Sequence, residues 1–445
     1  MSTNGRPDSG LFARRRRELL RQLKRGVVLV PTAPQRTRSN DTEYPYRPDT
    51  DFFYLTGFSE PHAVAVLRPG QAKPFVLFVQ PRDPERETWD GRRYGPEGAR
   101  QIFGADLAFP IGALDEELPK LLAGADRVFL APGKYPEFDA KVNAILDGFR
   151  KKSRAGIKPP SAVLDLREVL HEMRLAKGPE DIHLHRRAAA ISGAGHIAAM
   201  RAARPGMLEY EIEAVLEYVF RKLGARAPGY NHIVASGPNA TILHYNENNR
   251  EMADGELLLI DAGAEYGLYT GDITRTFPVN GRFTPAQRDI YGVVLAAQKA
   301  AITAIGPGVP FNRVHDTAVR AVTRGLVALG LLRGTLADLI KKEKYKRFFM
   351  HGTSHWLGMD VHDVGSYKDG KRWRRLMPGH VLTVEPGIYI PADARGVPKR
   401  YLGIGVRIED DVLVTRTGRE VLTAAVPKEI ADIEATMAQP LSLPV

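Results

Sequence analysis

Four acidic residues and a histidine carry the chemistry this sequence can do. Asp261 ends the apolar run LLLID, with Gly255 before it and Gly263 after it, the profile of a buried strand. Asp272 follows in GDITRTF, where alternation puts Asp272, Thr274 and Thr276 on one face and Ile273 and Phe277 on the other. Carboxylates at the end of one buried strand and the start of the next are costly unless something positive faces them. Either arginines or a metal must neutralise the pair, and three later stretches favour the metal. HGTSHWLGMDVHD (351–363) supplies three histidines, and TVEPGIY (383–389) puts Glu385 on an apolar strand just before Pro386. GVRIEDDVLV (405–414) alternates so that Arg407 and Glu409 share a face. Four carboxylates and one imidazole carry four negative charges, about what two divalent cations and a bridging hydroxide balance. Oxygen-rich ligation with a single imidazole suits Mn²⁺, Co²⁺ or Zn²⁺.

In that order and in those contexts, Asp261, Asp272, His355, Glu385 and Glu409 resemble the five ligands of the dinuclear pita-bread metallopeptidases. That group includes methionine aminopeptidase, prolidase, aminopeptidase P and the metal-free creatinases. ILHYNENN (242–249), HGTSHWLGMDVHD and GIGVRIEDD are most similar to aminopeptidase P, and DTEYPYRPDTDFFYLTGFSEP (41–61) extends the likeness over nearly the whole chain. The resemblance implies two divalent ions, manganese foremost, bridged by Asp272 and Glu409. Asp261 completes one ion, and His355 with Glu385 completes the other. It implies Glu385 as general base for a metal-bridged hydroxide, and His244, His351 and His362 at the substrate. It also implies a relay of Tyr389, Arg407 and Asp261. The expected reaction is hydrolysis of the N-terminal Xaa-Pro bond of peptides whose second residue is proline, by a homodimer or homotetramer.

The 445 residues have room for two or three domains. With 43% apolar and 26% charged residues the composition is that of a soluble globular protein. The chain has no cysteine, which excludes disulfides, thiolate metal sites and cysteine nucleophiles. No apolar run of signal or membrane-spanning length occurs, so a cytoplasmic location without membrane contact is expected. A net charge of +11 raises the question of nucleic acid. The densest basic run, Arg14 to Arg17, reads instead as the solvated face of a helix with Leu19, Leu20 and Leu23 inward, because no aromatic residues interleave with it.

Strands alternating with helices over the first part of the chain predict an α/β domain, creatinase-like by resemblance, at residues 1–174. It contains no phosphate-binding glycine pattern. Trp89, in WDGRRYGPEG, reads as a polar-loop residue that either anchors local packing or reaches a neighbouring subunit's active site. KKSRAGIKPPSAV (151–163) is the linker candidate. Residues 175–445 predict an α+β domain, pita-bread by resemblance: two helices to about 224, then strands NHIVASG, TILHYN, LLLIDAG and DITRTFPV. Helices follow at 284–303 and 310–330, and strands resume through the histidine stretch to VLVT. His183, His185, His196 and His380 lie away from the acids and read as structural.

Competing functions remain open at this point. Prolidase, a dipeptidase, shares all five ligands, and a non-catalytic pita-bread binding protein shares the scaffold. His351 and His355 stand four apart, but Gly352 and the lack of an intervening glutamate rule out a helical HExxH zinc motif. No GxSxG supports a serine hydrolase.

Overall fold

The structure, a computed structural model, describes residues 9–152, 154 and 156–444. Residues 1–8, ahead of the predicted basic helix face, and Ser153 and Ala155 of the candidate linker lie outside the described residues. The chain divides into two compact units, Met1–Arg174 and Leu175–Val445. Among the described residues no helix is long and apolar enough to cross a membrane.

In the first unit, helix α1 (Ser9–Leu23) precedes strand β1 (Val27–Pro31), helix α2 (Thr50–Thr56), and strands β2 (Val64–Leu67), β3 (Phe75–Val79), β4 (Leu107–Pro110), β5 (Arg127–Leu130) and β6 (Ala162–Asp165). They form one mixed sheet in the order β4-β3-β2-β1-β5-β6. Sequences such as VVLVP and FVLFV are apolar at nearly every position because both faces of the central strands are covered. The end of the candidate linker is part of this sheet: Val163 pairs with Val128.

The basic run on α1 is only half solvated. Arg15 and Arg16 are buried; they donate to the carbonyls of Tyr54 and Leu55 at the end of α2 and stack over Tyr54 and Phe75. Cations at a helix C-terminus are stabilised by its dipole, and the long arginine stems cover apolar surface. Trp89 sits on a short helix, Pro84–Asp90, rather than a loop, and is 83% exposed, so it anchors nothing locally.

The second unit opens with helices α3 (Pro179–Ala202) and α4 (Glu209–Lys222). Strands β7 (Ile233–Ser236), β8 (Leu257–Asp261) and β9 (Thr274–Pro278) form an antiparallel sheet in which Ile233 and Thr274 both pair with Asp261. Helices α5 (Pro285–Thr303) and α6 (Asn312–Ala328) follow. A reciprocal cap between Thr284 and Gln287 starts α5. Strands β10 (Val381–Val384), β11 (Gly387–Ile390), β12 (Ile404–Arg407) and β13 (Asp410–Val414) pair as β10 with β13 and β11 with β12. Helices from both blocks share one apolar core with the strands.

Three segments differ from their sequence reading. TILHYN starts on the last residue of a 3₁₀ turn, Gly237–Thr241, and continues as irregular chain held by side chains instead of a ladder. The histidine stretch is irregular apart from a bridge between Trp356 and Leu382. GVRIEDDVLV is two strands, because the chain leaves one sheet for another at Ile408 and Glu409. Of the four histidines set aside as structural, His185, His196 and His380 are buried and His183 is exposed.

Candidate metal centre

Three of the four acids stand where a strand stops. Asp261 is the last residue of β8, Glu385 follows β10 directly, and Glu409 bridges the break between β12 and β13. Pro386 has no N–H to continue a ladder, and Glu385 N donates instead to the carbonyl of Thr353 at 2.9 Å. Asp272 lies two residues before β9 and is fixed through its backbone, whose N–H donates to Asp411 Oδ2 at 3.1 Å. The segment bearing His355 runs alongside β10: His355 N donates to Thr383 Oγ1, and Thr383 N returns a bond to the His355 carbonyl.

These elements surround a cavity of about 480 Å³. All ten residues singled out from the sequence line it except Tyr389, which is buried one layer behind. Ligand atoms of Asp272, His355 and Glu409 lie within 4.8 Å of one another. His355 Nε2 is 3.4 Å from Asp272 Oδ2 and 3.6 Å from Glu385 Oε1. His355 Nδ1 donates to the carbonyl of Trp356 at 3.0 Å, which fixes the tautomer and leaves Nε2 aimed at the acids.

Arg407 links three side chains by hydrogen bonds. Its Nη2 is 2.6 Å from Asp261 Oδ2, Nη1 is 3.1 Å from the Tyr389 hydroxyl, and Nε is 3.0 Å from Thr274 Oγ1. The Tyr389 hydroxyl also lies 2.9 Å from His351 Nε2, while His351 Nδ1 donates to the Gly352 carbonyl. Both ring nitrogens of His351 are therefore engaged. His362 stacks edge-on against His355, with ring centroids 4.5 Å apart. His244 also lines the cavity, from an exposed position. Arg275 turns away from the cavity: it is wholly buried, pairs with Asp410, and donates to the carbonyls of Thr274 and Glu409.

Two further side chains contribute. The Tyr230 hydroxyl lies 2.7 Å from Asp261 Oδ1 and 2.6 Å from Asp272 Oδ1, and Thr274 Oγ1 donates to Glu409 Oε2 at 2.6 Å. Thr274 was legible as a facing residue by its alternation with Asp272. Tyr230 had no such signal.

The electrostatics show what the cavity lacks. Burial, together with the nearby acids Asp272, Glu385 and Asp261, drives the Glu409 carboxyl well above its ordinary range. Burial pushes Glu385 up to about 7 and raises Asp272 as well. Burial alone would lower His355, but Asp272 and Glu385 outweigh it and hold the imidazolium to about 9. Four carboxylates thus face Arg407 and one imidazole, short of positive charge. An oxygen-rich set with one oriented imidazole fits divalent first-row cations, so the residues present suit a metal.

The family model for metallopeptidase family M24 matches residues 183–416, and that for the aminopeptidase P N-terminal domain matches residues 12–129. An Xaa-Pro aminopeptidase of Escherichia coli (strain K12) is 49% identical over 429 residues, covering 96% of this chain and 97% of its own length. A Pseudomonas aeruginosa aminopeptidase structure superposes with a TM-score of 0.96 at 52% identity, over 97% of this chain and 98% of that one. Zinc-substituted Escherichia coli aminopeptidase P in complex with product gives 0.94 at 49% identity, over 97% and 99%.

Proposed function

We propose, since this chain belongs to metallopeptidase family M24, that it acts as an Xaa-Pro aminopeptidase, a metalloexopeptidase that hydrolyses the bond between an N-terminal residue and a following proline. Its fold is an N-terminal aminopeptidase P domain, assigned to residues 1–174, and a C-terminal pita-bread domain, assigned to residues 175–445. The observation that carries the reading is the gathering of Asp261, Asp272, His355, Glu385 and Glu409 around one cavity.

In this reading Asp261, Asp272, His355, Glu385 and Glu409 would hold two divalent ions, manganese foremost. Bound there, divalent cations lower the pKa of a water and polarise the scissile carbonyl. Every other task falls to the chain. Glu385, at the cavity wall, takes the proton of the attacking water. Arg407 holds Asp261 in place through a charge-assisted hydrogen bond, and Tyr230 steadies the other oxygen of Asp261 and the nearer oxygen of Asp272. His244 and His362 offer ring N–H groups to the peptide. His351 can do so only by giving up Tyr389 or the Gly352 carbonyl.

A cytoplasmic location and assembly into homodimers or homotetramers complete the proposal. Trp89, a large aromatic that its own chain leaves unpacked, supports a subunit contact. Light scattering reads the assembly, and a monomeric chain would refute that part.

The test uses manganese-reconstituted chain and two substrates, Arg-Pro-Pro and an Xaa-Pro dipeptide. Release of arginine from the tripeptide is the expected result. If only the dipeptide is cut, the chain is a prolidase. If neither is cut by chain with verified metal content, the binding-protein reading replaces both.

A further inference from the structure

The segment that carries His244 is built unlike its surroundings. Residues 242–249 make no strand or helix, and His244 and its neighbour Ile242 are exposed. Side chains do the anchoring. Helix α4 places Glu209 and Glu213 four residues apart on one face, and both reach this segment.

Glu209 is completely buried, and its carboxylate accepts five hydrogen bonds from the chain around His244. Oε1 accepts from Ser236 N and Oγ, each at 2.7 Å, and from Asn239 Nδ2 at 3.2 Å. Oε2 accepts from the Tyr245 hydroxyl at 2.7 Å and from Arg250 N at 3.0 Å. Tyr245, next to His244, is 8% exposed and packs with Leu259 and Tyr389, so it points inward where His244 points to the cavity. On the far side Asn248 adopts a left-handed φ of 49°, which asparagine tolerates better than most residues. Its amide accepts from Val234 N and donates to the His232 carbonyl and to Glu213 Oε2.

An exposed segment with no ladder of its own is held at both ends by buried, multiply bonded side chains. We propose that Tyr245, clamped by Glu209, is a positioning residue that sets the reach of His244 to the bound peptide. The inference rests on the aminopeptidase reading, in which His244 meets substrate. The clamp acts only through where it leaves the imidazole, because neither Tyr245 nor Glu209 lines the cavity.

A double-mutant cycle tests this. Tyr245→Phe, His244→Ala and the pair are compared with the parent chain, each manganese-loaded, on Arg-Pro-Pro. Thermal midpoints are recorded alongside kcat and KM. Tyr245→Phe keeps the ring in the core and removes the 2.7 Å bond to Glu209, along with longer contacts to Asn249 at 3.4 and 3.5 Å, so kcat/KM should fall about fivefold. In the His244→Ala background the same change should alter kcat/KM less than about twofold. Glu209→Gln, which turns an amide N–H₂ toward groups that donate, should lower activity further than Tyr245→Phe. An equal loss in both histidine backgrounds, or no loss in the parent, overturns the positioning role. A parent chain that leaves Arg-Pro-Pro intact overturns the enzymatic reading beneath it, a result visible before any variant is compared.

Discussion

Arg407 and Asp261 are joined 2.6 Å apart across the wall of the cavity, the arginine 4% and the carboxylate 13% exposed. The guanidinium is fixed by Tyr389 and Thr274 as well, so it presents Asp261 in one orientation. Replacing Arg407 with Met keeps most of the volume and removes that orientation. Metal affinity or kcat/KM should fall about 10- to 100-fold, the usual cost of losing a partner behind a ligand. Titration against a competing chelator reads the affinity. A variant binding metal as tightly as the parent, at full activity, would show the pair to be structural only.

Removing the metal should have two effects. Activity should vanish with a chelator and return with Mn²⁺, and the thermal midpoint should fall. Ligand that binds only the folded chain stabilises it by about 2.7 kcal/mol at a hundredfold excess over Kd. It also offsets the burial, and behind it the neighbouring acids, that raise Asp272, Glu385 and Glu409. Calorimetry with and without metal checks the second effect. Activity that survives verified removal of metal would sink the catalytic assignment.

Much of the fold and site was legible in the sequence, for physical reasons that also explain the failures. Buried strands such as LLLID and helices with marked ends, such as Thr284-Pro285, declare themselves through local chemistry. So did the acids, because ionisable residues beside apolar strands demand an explanation. What local pattern could not show was where a strand breaks. GVRIEDDVLV alternates as if continuous, yet Glu409 sits at a change of partner strand. TILHYN carries strand-forming residues, but Tyr245, and Asn248 just beyond the run, find partners on α4 and β7 that no neighbouring strand offers. Tyr230 is invisible for the same reason: only the pairing of Ile233 with Asp261 swings the preceding loop over the acids. The Arg14–Arg17 run misleads because half of it caps α2, a tertiary contact.

Three buried imidazoles should each withdraw their contribution to stability on acidification. Burial lowers His185 to about 3, and His196 and His380 to about 4. In the unfolded chain each titrates near 6.5. Between those values the unfolded state binds more protons at these sites, so their contribution rises with pH across that window and is lost as pH falls from about 6.5 toward 4, while the raised carboxyls of Glu385, Asp272 and Glu409 contribute with the opposite sign. Thermal midpoints of the parent and His185→Phe chains over pH 4–8, taken as a difference, isolate the imidazole. The phenyl ring would pack edge-on against Tyr269 as the imidazole does, and the parent should gain more stability than the variant as pH rises from 4 to 6.5. An unchanged slope would mean His185 does not titrate on unfolding.

The loop that bears His362 is pinned by an ion pair taken wholly out of water. Lys177 Nζ lies 2.8 Å from Asp363 Oδ2, with the side chains 2% and 1% exposed, and Lys177 N donates to the Gly379 carbonyl. Breaking such a pair strands a charge in low dielectric and costs about 3–5 kcal/mol, whereas replacing both partners with apolar residues is often close to neutral. Lys177→Met should therefore lower the thermal midpoint sharply, and Lys177→Met with Asp363→Leu should recover most of it. Catalysis should not recover in step, because Asp363 follows His362 directly and its backbone N–H also donates to the Trp356 carbonyl beside His355. Without the charge that fixes the turn, both imidazoles lose their register against the acids. Denaturation midpoints and kcat/KM, measured on both variants, separate the two outcomes. Full recovery of activity along with stability would mean that the pair holds the fold together and has no part in placing the histidines.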